Sequence, residues 1–126
     1  MRTTVKSAGL YIMALFYLLA GINHFISPGS YIKLIPPYLP LPEVLNIVAG
    51  IAEILLGVLL FFPAVRVKAA WGIIFLLIAF LPAHVYMIQQ APIQMGSFVI
   101  TPFIAWLRLP VQLLLVVWAY QYCRKG

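Results

Sequence analysis

The sequence predicts an all-α integral membrane protein, a four-transmembrane-helix bundle with up-down-up-down topology. Its 126 residues are 65% hydrophobic and 8% charged, with a mean hydropathy of +1.09, whereas soluble domains carry roughly 25% charged residues. The apolar residues fall into four stretches, each near the ~20 residues that a helix needs to cross a hydrocarbon core of ~30 Å. These stretches use up most of the chain, so we expect a single transmembrane domain over residues 1–126.

Prolines, glycines and basic residues set the limits of the four predicted helices. The helices cover about residues 8–26, 44–62, 69–88 and 98–120, and an exterior loop covers 27–43. A cleaved signal peptide is the alternative for the first stretch, because Arg2 and Lys6 precede it. The length of that stretch and the absence of a clear Ala-x-Ala site before Asn23 favour a retained helix.

The basic residues predict the orientation of the chain. Six of them flank the termini or fill the connection between helices 2 and 3: Arg2, Lys6, Arg66, Lys68, Arg124 and Lys125. The exterior loop contains Lys33 alone. By the positive-inside rule both termini are cytoplasmic, in a bacterial inner membrane or an ER-type membrane. This distribution accounts for most of the net charge of +6 without a nucleic-acid partner.

The exterior loop is rich in proline and predicts a lid over the outer end of the bundle. Ser27 and Pro28 can begin a short interfacial helix, since Ser is a good N-cap and Pro suits the first helical turn. The following prolines end that helix and favour an extended, stiff segment. The predicted lid residues are Tyr31, Pro36, Pro37 and Tyr38. An ordinary connector that avoids helix is the alternative.

Polar side chains within the predicted helices are the main functional candidates, because ionisable residues in membranes are rare and usually face the bundle interior. We expect them to line a ligand or partner pocket below the loop. The candidate residues are Asn23, His24, Asn46, Glu53, His84, Arg108 and Gln112.

Two of these residues predict a buried ion pair. Counting ~1.5 Å per residue from the predicted outer ends of helices 2 and 4 places Glu53 and Arg108 at about the same depth, near the midplane. A lone charge there costs at least ~2.5 to 3.5 kcal/mol, and a guanidinium–carboxylate pair satisfies both groups. The sequence therefore predicts that Glu53 pairs with Arg108.

Several chemistries could use such a pocket. His24 and His84 could ligate a haem, or form a metal site with Glu53, but no local ligand spacing supports either. An ion path would use the same residues and would require oligomers. Phospholipid or quinone binding would use the polar groups as anchors and aromatic side chains as the wall. The single Cys123 leaves no internal disulfide and no paired-thiol redox centre.

Four sequence elements resemble the DoxX-like family of small membrane proteins. They are Gly-x-Asn-His-Phe (residues 21–25), Pro-Pro-Tyr-Leu-Pro (36–40), Ala-Glu-x-x-x-Gly (52–57) and Pro-Ala-x-x-Tyr-Met (82–87). The resemblance covers helices 1 to 3 and implies a four-helix bundle. It implies no single activity, because members resemble a small subunit of thiosulfate:quinone oxidoreductase, components of redox-stress complexes, or assembly chaperones of acetylcholine receptors.

Two functional hypotheses follow. In the first, the protein is non-catalytic and binds a lipid-like ligand or assists assembly of a membrane protein partner, with membrane lipid or a second copy as further partners. In the second, it is a quinone-binding accessory subunit of a redox complex, with His24 and His84 anchoring the quinone and Glu53 relaying protons. No catalytic residue, metal site or resident cofactor is predicted, and quinone and haem remain alternatives.

Overall fold

The computed structural model describes residues 2–95 and 97–123. Its elements, in chain order, are α1 (Arg2–Ile26), α2 (Pro28–Ile32), α3 (Pro42–Leu59), α4 (Arg66–Ala79), α5 (Leu81–Gln90), β1 (Ile93–Met95), β2 (Phe98–Ile100) and α6 (Pro102–Tyr120). Four helical segments in this part of the chain are long and apolar enough to cross a membrane: Lys6–Ile26, Pro42–Leu59, Arg66–Gln90 and Pro102–Tyr120. The predicted set of four apolar helices is therefore confirmed. The basic pair Arg124 and Lys125 lies outside the described residues.

Helices α1 and α3 pack closely because three glycines lie in their contact. A Cβ atom on Gly21 would meet the Gly50 carbonyl oxygen at 2.7 Å, and one on Gly57 would meet the Ala14 carbonyl oxygen at 2.9 Å. Small residues allow this approach of two backbones, as they do in other membrane bundles. The close contact brings the last turn of α1 against the middle of α3 and fixes the position of His24.

The third predicted helix is divided at Phe80 into α4 and α5. Pro82 lies in the first turn of α5, and a proline removes one backbone donor and clashes with the preceding helical turn. Helix α5 begins with a hydrogen bond between residues three apart, in which the Ala83 amide donates to the Phe80 carbonyl oxygen at 3.0 Å. The break leaves carbonyl groups in the last turn of α4 without helical partners, and one of them contributes to the site described below.

An antiparallel hairpin precedes α6, and its second strand lies where the sequence predicts the start of the fourth helix. Ile93 pairs with Ile100 and Gln94 with Val99. The prediction that the fourth helix begins near residue 98 is wrong, since α6 begins at Pro102, with Thr101 as N-cap accepting a hydrogen bond from the Ile104 amide at 3.2 Å. A short apolar run is compatible with either helix or strand, which explains the error.

The segment between α1 and α3, residues 27–41, forms a compact cover over the end of the bundle opposite the termini, which is the predicted outer end. After α2 it continues in turns, and the Leu39 amide donates to the Pro36 carbonyl oxygen at 3.0 Å. The prediction of an extended, stiff segment is therefore wrong here, because Pro36 and Pro37 initiate a turn. Lys33 fastens the cover to the hairpin, with its Nζ atom donating to the Gln94 carbonyl oxygen at 2.7 Å.

The apolar core is divided between the two ends of the bundle. A large cluster that includes Met13, Leu60 and Ile73 fills the end nearest the termini. A smaller cluster of Met87, Ile100 and Ala105 lies near the cover. The cavity described below borders both clusters, since Leu77 of the large one and Met87 of the small one line it.

Candidate functional site

A cavity of about 500 Å³, here called the outer cavity, lies beneath the cover. Its walls are mostly apolar, and its volume lies within the range of small-molecule pockets, about 300 to 1,000 Å³. Six of the predicted pocket residues line it together: His24, Asn46, Glu53, His84, Arg108 and Gln112. Asn23 does not; it lies exposed outside the cavity, where its Nδ2 atom donates to the Tyr31 hydroxyl at 2.6 Å.

His24 is the centre of a buried polar network on one wall. Its Nδ1 atom lies 2.7 Å from Asn46 Oδ1, and its Nε2 atom lies 2.8 Å from Glu53 Oε1. Asn46 Nδ2 donates to the backbone carbonyl oxygen of His24 at 3.0 Å. All three side chains are buried, so each polar group requires a partner inside the protein.

The geometry of Asn46 determines where the protons lie. Since its Nδ2 donates to the His24 carbonyl, its Oδ1 faces the imidazole, and an amide oxygen can only accept. His24 Nδ1 therefore carries a hydrogen. One more proton lies between Nε2 and the Glu53 carboxyl oxygen, and whichever atom holds it, the charges of His24 and Glu53 add to zero.

Two residues of the cavity lining each have a buried polar atom without a hydrogen-bond partner among the described residues. These atoms are the hydroxyl oxygen of Tyr17, whose residue is 3% exposed, and the Nδ1 atom of His84, whose residue is 5% exposed. Leaving such a group unsatisfied costs about 1 to 3 kcal/mol. Both residues line the outer cavity, so the unused hydrogen-bonding capacity lies beside the cavity, although each atom itself is closed off from it in this conformation.

Arg108 lies at the side of the outer cavity and is exposed on the bundle surface. It is within electrostatic reach of Tyr31 and His84. In the described part of the chain, no hydrogen bond or ion pair joins it to another side chain. Its guanidinium group can therefore contact a molecule that occupies the cavity.

The predicted ion pair between Glu53 and Arg108 is wrong, because Glu53 is paired with His24 instead. The reason is the position of the helix ends. Arg108 lies six residues after Pro102 and Glu53 eleven after Pro42, so the two lie about 9 Å and about 16 Å along their helices. The close glycine contact of α1 with α3 places His24 within hydrogen-bond distance of Glu53, whereas Arg108 lies at a different depth along α6.

Gln112 connects α6 to the break between α4 and α5. Its Nε2 atom donates to the Leu77 carbonyl oxygen at 2.7 Å, and the side chain is buried. Leu77 is in the last turn of α4, where carbonyl groups lack helical partners. Gln112 is therefore a structural brace as well as a lining residue.

The predicted lid residues differ in their positions. The Tyr31 ring stacks on the His24 ring, with centroids 3.8 Å apart and an interplanar angle of 24°. Pro36 is buried and lines the cavity. Pro37 and Tyr38 are exposed, Tyr38 at 73%, and do not line it. The cavity-facing side of the cover is completed by Leu34, Ile35 and Leu39.

Sequence reasoning missed Tyr17, because a tyrosine inside an apolar helix resembles a core or interface residue.

The candidate metal ligands do not come together as a site. Within residues 2–95 and 97–123 no three His, Cys, Asp or Glu side chains are grouped to hold a metal ion. His24 and Glu53 are in contact, but His84 does not join them as a third ligand.

Comparison with known proteins places the chain in a family without assigning it an activity. A family model described as a domain of unknown function, DUF8561, matches residues 13–123. This match spans most of the sequence, so the chain belongs to that family. No curated protein and no solved structure shows significant similarity to it. The resemblance to DoxX-like proteins stays a prediction.

Proposed function

We propose that this DUF8561 member is a non-catalytic, multi-pass membrane protein that binds an amphiphilic, lipid-like ligand in the outer cavity. The observation that carries the proposal is a largely apolar cavity lined by Tyr17 and His84, which each have a buried polar atom without a hydrogen-bond partner among the described residues. A ligand with a polar head would satisfy these atoms once the two side chains turn toward it, and its apolar part would contact the remaining wall.

The proposal includes an orientation. The four spans run up and down, and the basic residues at the termini and between α3 and α4 favour a cytoplasmic location for both termini. The cover and the outer cavity then face the exterior, periplasmic or lumenal side. This position gives the ligand access from the outer leaflet.

The proposal is tested by native mass spectrometry of the full chain, purified in a mild neutral detergent, with Ala49→Phe as the key variant. Ala49 lines the outer cavity, so a phenyl ring there occupies ligand space. We expect wild-type protein to carry a bound amphiphile and the variant to lose it. A thermal unfolding measurement on both proteins checks that the variant is folded.

Ile51→Phe is the matched control, because Ile51 lies on the same helix, is exposed and does not line the cavity. It adds a similar ring on the lipid-facing surface, so it should retain the ligand. Equal ligand occupancy in Ala49→Phe, Ile51→Phe and wild type would show that the bound lipid is peripheral, and the proposal would be wrong.

A quinone head group is the second candidate, and it is favoured by the same two unpartnered atoms. The Tyr17 hydroxyl and the His84 imidazole can each donate a hydrogen bond to a quinone carbonyl oxygen. In that case the protein would be an accessory subunit of a redox complex. Ultraviolet absorption of the extracted ligand, before and after borohydride reduction, distinguishes a quinone from other lipids. Assembly of a membrane protein partner stays a prediction.

A further inference from the structure

We infer that the ligand of the outer cavity carries an anionic head group, a carboxylate or a phosphate, which binds the Arg108 guanidinium. This inference rests on the proposed function and specifies its ligand. It is argued from the charges of the cavity.

The whole sequence contains only two acidic residues, Glu43 and Glu53. Glu43 is exposed in the first turn of α3 and does not line the cavity. Glu53 is bound to His24 at 2.8 Å, and the charges of that pair add to zero. Neither carboxylate is therefore available to neutralise Arg108.

Arg108 thus leaves the outer cavity with one uncompensated positive charge within a membrane-spanning helix. A positive charge in hydrocarbon is unfavourable unless an anion or water accompanies it. The guanidinium group presents several donors in a plane and binds carboxylate or phosphate through two parallel hydrogen bonds. Within residues 2–95 and 97–123 no carboxylate is free to pair with Arg108, so the ligand is the partner that completes the charge balance.

The neighbouring groups fit the same head. His84, 5% exposed, has its Nδ1 atom unpartnered, and the hydroxyl of Tyr17, which also lines the cavity, is unpartnered too. A tetrahedral or planar anionic head has two or more oxygens, and one of them can accept a hydrogen bond from His84 while others bind Arg108, because Arg108 and His84 lie within electrostatic reach of each other. A neutral quinone would satisfy His84 and Tyr17 but would leave Arg108 without a counter-charge.

The test is a binding titration of delipidated full-length protein in a neutral maltoside detergent, followed by native mass spectrometry. The probes share one tail: oleate, 1-oleoyl lysophosphatidate and oleyl alcohol. Wild-type protein should bind at least one anionic probe about tenfold more tightly than oleyl alcohol. Preference for oleate identifies a fatty-acid source, and preference for lysophosphatidate identifies a phospholipid-type source; both support the inference.

Three variants locate the effect. Arg108→Gln should lose that preference while it still binds oleyl alcohol, and Arg108→Lys should keep only part of it, because the charge remains while the two parallel hydrogen bonds are lost. Lys68→Gln is the control for loss of a positive charge, since Lys68 is exposed and does not line the cavity; it should behave as wild type. If Arg108→Gln does not fold, the relative affinities of the three probes for wild type and for Arg108→Lys still test whether the ligand is anionic.

Decylubiquinone and inorganic phosphate are titrated as comparison probes, and three results would overturn the inference. The first is equal affinity of wild-type protein for oleate, lysophosphatidate and oleyl alcohol, and the second is tighter binding of decylubiquinone than of either anion. Either of these results would leave the proposed function standing if Ala49→Phe still abolished binding. The third is saturation by inorganic phosphate alone with no binding of a tailed probe, which would contradict the proposed function as well.

Discussion

The contact between α1 and α3 makes a quantitative prediction for Gly21→Ala. A Cβ atom at Gly21 would lie 2.6 Å from Ile54 Cγ1, 2.7 Å from the Gly50 carbonyl oxygen and 2.8 Å from the Ile54 amide nitrogen. Two of these atoms are backbone, so no side-chain rotation relieves them and the helices must separate. Overpacking of this kind costs about 1 to 3 kcal/mol, and because two of these contacts are backbone we take the upper value, about 3 kcal/mol. The higher helix propensity of alanine recovers about 1 kcal/mol. We therefore expect the free energy of unfolding to fall by about 2 kcal/mol.

Gly29→Ala is the matched control, because a Cβ atom at Gly29 meets nothing within 4 Å. It should leave stability unchanged or slightly raised. The assay is reversible unfolding of both variants and wild type in mixed micelles with increasing denaturing detergent. The same preparations can be titrated with a ligand probe, since separating the helices also displaces His24 from Glu53. If the two alanine variants unfold at the same point, the argument from close backbone approach is wrong.

Three further predictions follow from single contacts. Glu53→Ala should lower the free energy of unfolding by about 3 kcal/mol, because it leaves His24 Nε2 buried without its partner. Glu53→Gln should lose less stability. If Glu53→Ala is as stable as wild type in the same detergent titration, this prediction is contradicted. Gln112→Leu should cost about 1 to 3 kcal/mol, because the Leu77 carbonyl loses its donor, and this is refuted if the variant melts with wild type. Burial raises the pKa of the Cys123 thiol, and the thiolate is the reactive form. Maleimide labelling at pH 7, followed by mass spectrometry, should therefore be much slower for folded than for unfolded protein and should accelerate as pH rises; equal rates would show that the thiol is accessible.

Much of the fold can be predicted from the sequence because hydropathy in a membrane protein is a strong local signal. The four apolar helices follow from stretch lengths, and the location of a covered polar layer follows from the positions of His24, Glu53 and His84. These features depend on composition along one segment at a time. They do not depend on which helices are neighbours.

The partner of Glu53 could not be predicted in the same way. It depends on where α6 begins and on how closely α1 approaches α3, and both are set by several residues acting together. The apolar run from residue 98 to 100 pairs as a strand with the chain before it, which moves the start of the helix to Pro102. The glycines at 21 and 50 then give His24 the shorter path to the carboxylate. Charge complementarity alone selects Arg108, whereas backbone proximity selects His24.

The hydrogen bond from Lys33 to the Gln94 carbonyl, at 2.7 Å, has a consequence for how the protein is supplied with ligand. It joins the cover to the hairpin. If the cover faces water and the cavity binds a ligand as proposed, these two joined segments would hinder exchange from the water side, and exchange would run sideways through the face on which Arg108 is exposed. Under that geometry occupancy responds to the mole fraction of ligand among the surrounding lipids, and its free aqueous concentration matters only through partitioning. The fraction of protein with bound ligand would then report the lipid composition of the bilayer. Affinities measured at different detergent-to-protein ratios should agree only after they are expressed per mole of micellar amphiphile.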